Sequence, residues 1–227
     1  MTQYEHPITT VDVVVLTLKD HKLHILLTER EKEPFAGWLS LPGGFVFTDE
    51  DKTLDDAADR ILLQKTGVRS PYFEQLSGFG SSTRDPRGWS VSFAYVSLMP
   101  WEDVEVAQAG RNVNDVKCVA VDDLKPGMLA FDHEEIVAKA LERLRNKVNY
   151  STMPAYLLPK KFTITQLQKV YEEVLGTPID KSAFRKKVNA LDFLETTGEK
   201  ETGKHRPAEV FQLKPDALVC FRSNLTK

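Results

Sequence analysis

The chain has 227 residues and a formal net charge of −3, a length that suits two small domains better than one. Its two cysteines, Cys118 and Cys220, exclude a disulfide framework or a zinc cluster, although the two could pair with each other; Asp, Lys or His interrupts every apolar run, so no signal peptide or membrane span is expected and the cytoplasm is the expected compartment. Residues 1–150 hold 17 Lys and Arg against 24 Asp and Glu, a net of −7, whereas residues 151–227 hold 13 against 9, a net of +4. A small surplus of either sign is common on soluble surfaces, but a basic unit beside an acidic one also suits a phosphate-binding module joined to something else. The expected division is residues 1–150 and residues 151–227.

In the first unit, Thr10 to Leu18 reads as a strand through the run Val11, Val13, Val14, Val15 and Leu16. A polar turn, Lys19 to Lys22, leads to a second strand over Leu23–Thr28. Glu29 to Trp38 reads as a loop with Pro34 and Gly37. The glycines of Leu41-Pro42-Gly43-Gly44-Phe45-Val46 permit close backbone approach or positive φ. Thr53 to Thr66 has apolar residues at helical spacing, and Gly67 is placed to end that helix. Strands are predicted over Phe73–Phe79, Ser90–Leu98 and Lys117–Val121. A long helix follows from Asp132 to Asn146, opened by the Asp132 carboxylate as a cap. Strands and helices mixed in this order predict an α/β sandwich.

Leu41-Pro42-Gly43-Gly44-Phe45-Val46, the carboxylate of Glu50, and a helix ending at Thr66-Gly67-Val68 together resemble a Nudix box. The resemblance implies a Nudix fold. In working members of that family, carboxylates on the helix bind Mg²⁺ at the substrate diphosphate, because a hard cation needs oxygen ligands. Here Arg60 comes two residues late relative to Glu50. The positions expected to carry Glu are Ile61, Gln64 and Lys65, so Lys65 puts a positive charge where the cation would sit. Asp55, Asp56 and Asp59 offer a substitute, but an ordinary acidic helix face explains them more simply. The expectation is a Nudix fold without catalytic residues, metal or cofactor.

Ser82-Thr83-Arg84-Asp85-Pro86-Arg87-Gly88-Trp89 carries two arginines around a turn between strands. Guanidinium groups suit a diphosphate by bidentate contact and stack on an adenine ring, while a solvated surface hairpin reads equally well from spacing. In Nudix proteins acting on ADP-ribose, a similar segment lies beside the ligand pocket. The resemblance therefore implies a ligand cleft formed by Arg84, Arg87 and Gly43-Gly44-Phe45, with Arg30 and Trp38 as further candidates.

Ser151 to Lys161 reads as a linker with a short helical turn. A helix then begins near Phe162, where both Thr163…Gln166 and Thr165…Gln168 match a capping box. Leu167, Val170, Tyr171, Val174 and Leu175 form one apolar stripe. Gly176-Thr177-Pro178 makes a turn, and Asp180 caps a second helix through Leu191, giving a helix-turn-helix. Ala183, Phe184, Val188 and Leu191 form its apolar face. Ser182, Arg185, Lys186 and Asn189 form a polar face flanked by Lys181 and Lys187. Such a face is usually only solvated, but on a recognition helix Arg and Asn read bases in the major groove. A two-stranded wing follows, with Lys204, His205 and Arg206 at its tip for the phosphate backbone.

The two units together resemble the NrtR family of Nudix-related regulators of NAD biosynthesis, through Leu129-Ala130-Phe131-Asp132-His133-Glu134, the Arg84-to-Trp89 segment and Phe184-Arg185-Lys186-Lys187-Val188. The resemblance implies a repressor of NAD biosynthesis or salvage genes that binds double-stranded operator DNA and is released by ADP-ribose. One winged helix covers a short half-site, so a homodimer on a palindrome is expected. The alternatives are an active ADP-ribose pyrophosphatase with an accessory domain, which leaves Gln64 and Lys65 unexplained, and a protein-interaction scaffold, which leaves the Arg185 face unexplained.

Overall fold

Val11, Val13, Val14, Val15 and Leu16 are all fully shielded because β1 (Ile8–Lys19) runs through a sheet that is covered on both faces. In the computed structural model, which describes residues 6–201, 207–215 and 217–220, that sheet has seven strands. Besides β1 they are β2 (Lys22–Arg30), β3 (Leu39–Ser40), β4 (Gly43–Phe45), β5 (Phe73–Ser81), β6 (Ser90–Leu98) and β7 (Val113–Ala120). The main path runs β3-β2-β1-β6-β5, with β4 paired to β1 and β7 paired to β2. Only the β1–β6 pairing is parallel. Asp20 and His21 join β1 to β2 with φ of 49° and 60°, the left-handed pair that matches a hairpin's twist.

The period-2 alternation of a strand sends neighbours to opposite layers. Val14, Leu16, Ile25 and Leu27 meet Ile136, Val137, Ala140 and Leu144 of α3 (His133–Lys147). Val11, Val13, Val15 and Leu26 meet Ala57, Ala58, Ile61 and Leu62 of α1 (Leu54–Thr66). The result is the expected α/β/α sandwich, with a short helix α2 (Trp101–Val104) after β6. Thr53 and Asp56 form a reciprocal cap on α1, and Gly67 ends it at φ 74°.

The C-terminal unit is a helix pair on a small sheet. α4 (Ile164–Leu175) and α5 (Lys181–Ala190) are followed by β9 (Leu194–Glu201) and β10 (Ala208–Leu213), and β10 also pairs with β8 (Phe162–Thr163). Thr163 and Gln166 make the capping box on α4; the second match, Thr165…Gln168, makes none, because Gln168 instead donates to Glu172 and to the Ile179 carbonyl. Glu172 Oε1 also accepts from Ile179 N at 2.9 Å, so two α4 side chains clamp the turn into α5. Gly176 enters that turn at φ 68°.

Several expectations need correction. In the linker expected over Ser151 to Lys161 the short helical turn is present at Met153–Leu157, but its first part is packed into the core: Ser151, Thr152, Met153, Ala155 and Leu157 are buried, with Tyr171 Oη donating to Ser151 O and Thr152 hydrogen-bonded to Ala217 and Val219. Apolar contact therefore runs unbroken from the large sheet into α4 and Phe184. Ala183 is exposed, leaving Phe184 and Val188 to anchor α5. The first strand of the expected wing, β9, extends to Glu201. Lys204, His205 and Arg206 lie outside the described residues. Cys118 and Cys220 are unpaired. No helix among the described residues is long and apolar enough to cross a membrane.

Candidate functional site

β1 changes partner along its length. Thr10 to Asp12 pair with β4, while Val15 to Lys19 pair with β2. The sheet divides at Asp12, and the division opens a cavity of about 380 Å³ bounded also by α1 and the start of α3, a size in the range of small-molecule sites. Gly43 is required here: a Cβ would lie 1.9 Å from Asp12 Oδ1. At Gly44 a Cβ would come within 3.3 Å of Ile61, the residue that replaces the first helical Glu.

A buried polar network forms the floor. Arg84 donates through Nε and Nη2 to both carboxylate oxygens of Asp132 at 2.8 Å, with Asp12 Oδ2 3.7 Å away and Ser90 Oγ 3.3 Å from Nη1. The Arg84 side chain is 5% exposed, so it is a shielded strut rather than the open anion-binding arm suggested by its turn. This also corrects the cap expected on α3: Asp132 stands at the N-cap but its carboxylate belongs to Arg84 and makes no cap hydrogen bond. Asp12 accepts from Ser92 Oγ at 2.6 Å.

His133 closes the network. Its Nδ1 accepts from Leu41 N at 3.0 Å, which leaves the proton of the neutral ring on Nε2, 3.6 Å from Asp12 Oδ1. Burial pushes the His133 pKa down, against the pull of Asp12 and Asp132. A base depressed in the fold binds its proton more readily once unfolded. Its contribution is thus fully present above the unfolded value of about 6.5 and is lost as pH falls below it. Urea unfolding should show stability dropping between pH 7.5 and 5.5, with a flatter profile in His133→Asn, which keeps an acceptor for Leu41. Parallel profiles would refute a neutral buried His133.

Above this floor the cavity is cationic. Arg30, Lys32, Arg60, Lys65, Arg84, Arg87 and Arg111 line it, against Asp12, Glu31, Glu33 and Asp85. Asp85 takes the Nε and Nη2 edge of Arg87, whose guanidinium lies over Phe45 at 5.2 Å and near Phe131 at 5.9 Å. Arg30 lies over Phe131 at 4.7 Å. Phe131 holds φ 58°, costly for a bulky residue, and packs edge-on with Phe35 and beside His133. Of the expected ligand residues, Arg30, Gly43, Gly44, Phe45, Arg84 and Arg87 meet around this cavity. Trp38 does not line it; it packs against Phe35 and is 44% exposed.

Asp51, not Glu50, makes the paired contact with Arg60, at 2.6 Å to Nε and 2.6 Å to Nη2. The Arg60 hydrogen bonds hold the Asp51 carboxyl below its usual range. Glu50 is 52% exposed and 3.8 Å from Arg60. Asp55 accepts from Tyr95 Oη, Asp56 serves the cap at Thr53, and Asp59 pairs with Arg69, so none of the three substitutes for the lost helical pair.

The second candidate surface is α5. Lys181, Ser182, Arg185, Lys186 and Asn189 are exposed along it, and Lys187 is half-buried. Phe184 and Val188 are buried on the opposite side, with Phe184 edge-on to Tyr171 at 5.3 Å. Asp180 Oδ1 accepts from Ala183 N at 2.7 Å and fixes the first turn.

Two family models match the chain: the NUDIX domain over residues 7–140 and the NrtR DNA-binding winged helix domain over residues 154–213. An ADPR responsive transcriptional repressor, NtrR, of Acinetobacter baylyi is 36% identical over 93% of this chain and 84% of its own length. The chain belongs to the NrtR family. NrtR of Shewanella oneidensis, solved with a 27mer DNA, superposes with a TM-score of 0.88 at 40% identity, covering 95% of this chain and 98% of that one. The NUDIX domain of the same NrtR, solved with ADP ribose, matches at a TM-score of 0.58 and 39% identity over 62% of this chain and 90% of that one. Both NrtR halves are thus present here in order, one bearing the cationic cleft and the other the exposed basic helix.

Sequence reasoning missed Asp12 and Arg111 as cleft residues. Asp12 did carry a signal, since a charge inside a β-branched buried run is unusual without a partner.

Proposed function

We propose that this protein represses NAD biosynthesis or salvage genes in the cytoplasm, as a homodimer on a palindromic operator, and releases DNA when ADP-ribose fills the cleft at Asp12. The carrying observation is a cation-lined cleft that shares a chain with an exposed basic helix on a helix-turn-helix. Arg87 and Arg30 meet the diphosphate, Phe45 offers a face to the base or ribose, and Gly43 and Gly44 let the backbone approach. Arg84 acts from below by fixing Asp132. The domains divide near residue 150, and α3 links them: His133 faces the cleft and Ser151 Oγ bonds the Lys147 carbonyl at its far end. Hydrolysis is absent because Ile61, Gln64 and Lys65 stand where the metal-binding carboxylates belong.

A gel shift on the protein's own upstream DNA, with and without ADP-ribose, tests the reading. A shifted complex holding two chains by light scattering, dissolved by ADP-ribose, is expected. By calorimetry, Arg87→Ala should weaken ADP-ribose binding by about 1.5–3 kcal/mol, the worth of a charge-assisted hydrogen bond. Incubation with ADP-ribose and Mg²⁺ should release no AMP; release at an enzyme-like rate would instead establish a pyrophosphatase.

A further inference from the structure

A Nudix fold implies a divalent cation at the substrate diphosphate, and the residues of this cleft do not fit one. Hard cations need several oxygen ligands. Gln64 Oε1 here accepts from Arg60 Nη1, Ile61 is apolar, and Asp55, Asp56 and Asp59 are engaged away from the cavity. Among the described residues no group of three or more His, Cys, Asp or Glu is placed to hold a metal.

What occupies that wall is Lys65, in the last turn of α1. Its Nζ donates to the Arg111 carbonyl at 3.0 Å, which ties the ammonium to the cavity rim. The docking of the 108–111 segment on α1 fixes this arrangement. Gly110 N donates to Lys65 O, Arg111 N donates to Gln64 O, and a Cβ on Gly110 would lie 2.0 Å from Gln64 O. The other charges acting on Lys65 are mostly cations, Arg30, Arg111 and Lys32, opposed by Glu31. Among the described residues no salt bridge is made to this half-buried ammonium, and three cations act on it against Glu31, a setting that favours an entering anion.

We propose that the Lys65 ammonium is a built-in replacement for the divalent cation, so that this cleft binds a diphosphate without metal. The inference rests on the cleft being the ADP-ribose site, but the diphosphate can be tested separately. Calorimetry on the full chain would use ADP-ribose and, in parallel, inorganic pyrophosphate, each in EDTA and in Mg²⁺. Wild type should bind ADP-ribose equally, within about twofold, in both conditions. Lys65→Met should lose about tenfold or more, Lys65→Arg should recover most of it, and Gln64→Glu with Lys65→Glu should bind only when Mg²⁺ is present. Thermal melting would confirm that the variants fold. Pyrophosphate bound without metal and through Lys65, with no binding of ADP-ribose, would overturn the ligand and leave Lys65's role standing. A wild type that needs Mg²⁺, or a Lys65→Met variant that binds like wild type, would overturn the role of Lys65.

Discussion

Replacing Arg84 by Met should destabilise the protein by about 3–5 kcal/mol, because it leaves the buried Asp12 and the largely shielded Asp132 without their counter-charge. The guanidinium neutralises Asp132 through two hydrogen bonds and lies 3.7 Å from Asp12, and the side chains of these three residues are 5%, 16% and 7% exposed. The methionine stem keeps most of the volume, so the loss reflects charge more than a cavity. Urea unfolding at neutral pH measures it. Adding Asp132→Asn to Arg84→Met should recover part of the loss, since the second change removes one of the orphaned charges. The effect should also reach the site, because Asp132 and His133 are neighbours at the start of α3 and Leu41 of the cleft wall hangs on His133. A loss under about 1 kcal/mol would mean that solvent reaches the network and that Arg84 is an ordinary surface group.

The same network explains how much was legible in the sequence. Buried strands betray themselves through β-branched runs, and α1 and α4 through caps, stripes and glycine ends, because those signals are local. The degenerate box was legible for the same reason: Ile61, Gln64 and Lys65 sit at fixed helical offsets. The pairing of Arg84 with Asp132 spans 48 positions, and no local rule links them, so each residue suggested a different and plausible local job, ligand arm and helix cap. Glu50 and Asp51 are adjacent, and only the backbone decides which one faces Arg60. The segment after Tyr150 looked like a linker because Pro154 and Pro159 mark a break in helix, yet a break in helix can still be packed; Met153, Ala155 and Leu157 supply the apolar surface that buries it.

Arg185→Ala and Asn189→Ala should each weaken operator binding by about 1–3 kcal/mol and relax the preference at particular base pairs. The two residues lie one turn apart on the exposed side of α5, while Phe184 and Val188 hold the other side against α4. Asp180 caps the helix, and Gln168 and Glu172 clamp the turn before it, so the angle of α5 is set by the fold rather than by DNA. Among the described residues Arg185 makes a long contact, 3.5 Å to Thr165 Oγ1, and its exposed fork suits a guanine edge. Lys204 and Arg206, carried between β9 and β10, should contribute differently. Their removal should weaken binding to operator and scrambled duplex alike and lower the salt slope by about one for each phosphate left unneutralised. A salt titration of every variant on both duplexes separates the two classes. Equal losses on both duplexes from Arg185→Ala and Asn189→Ala would show that α5 grips the backbone, and base reading would then have to come from elsewhere on the winged helix.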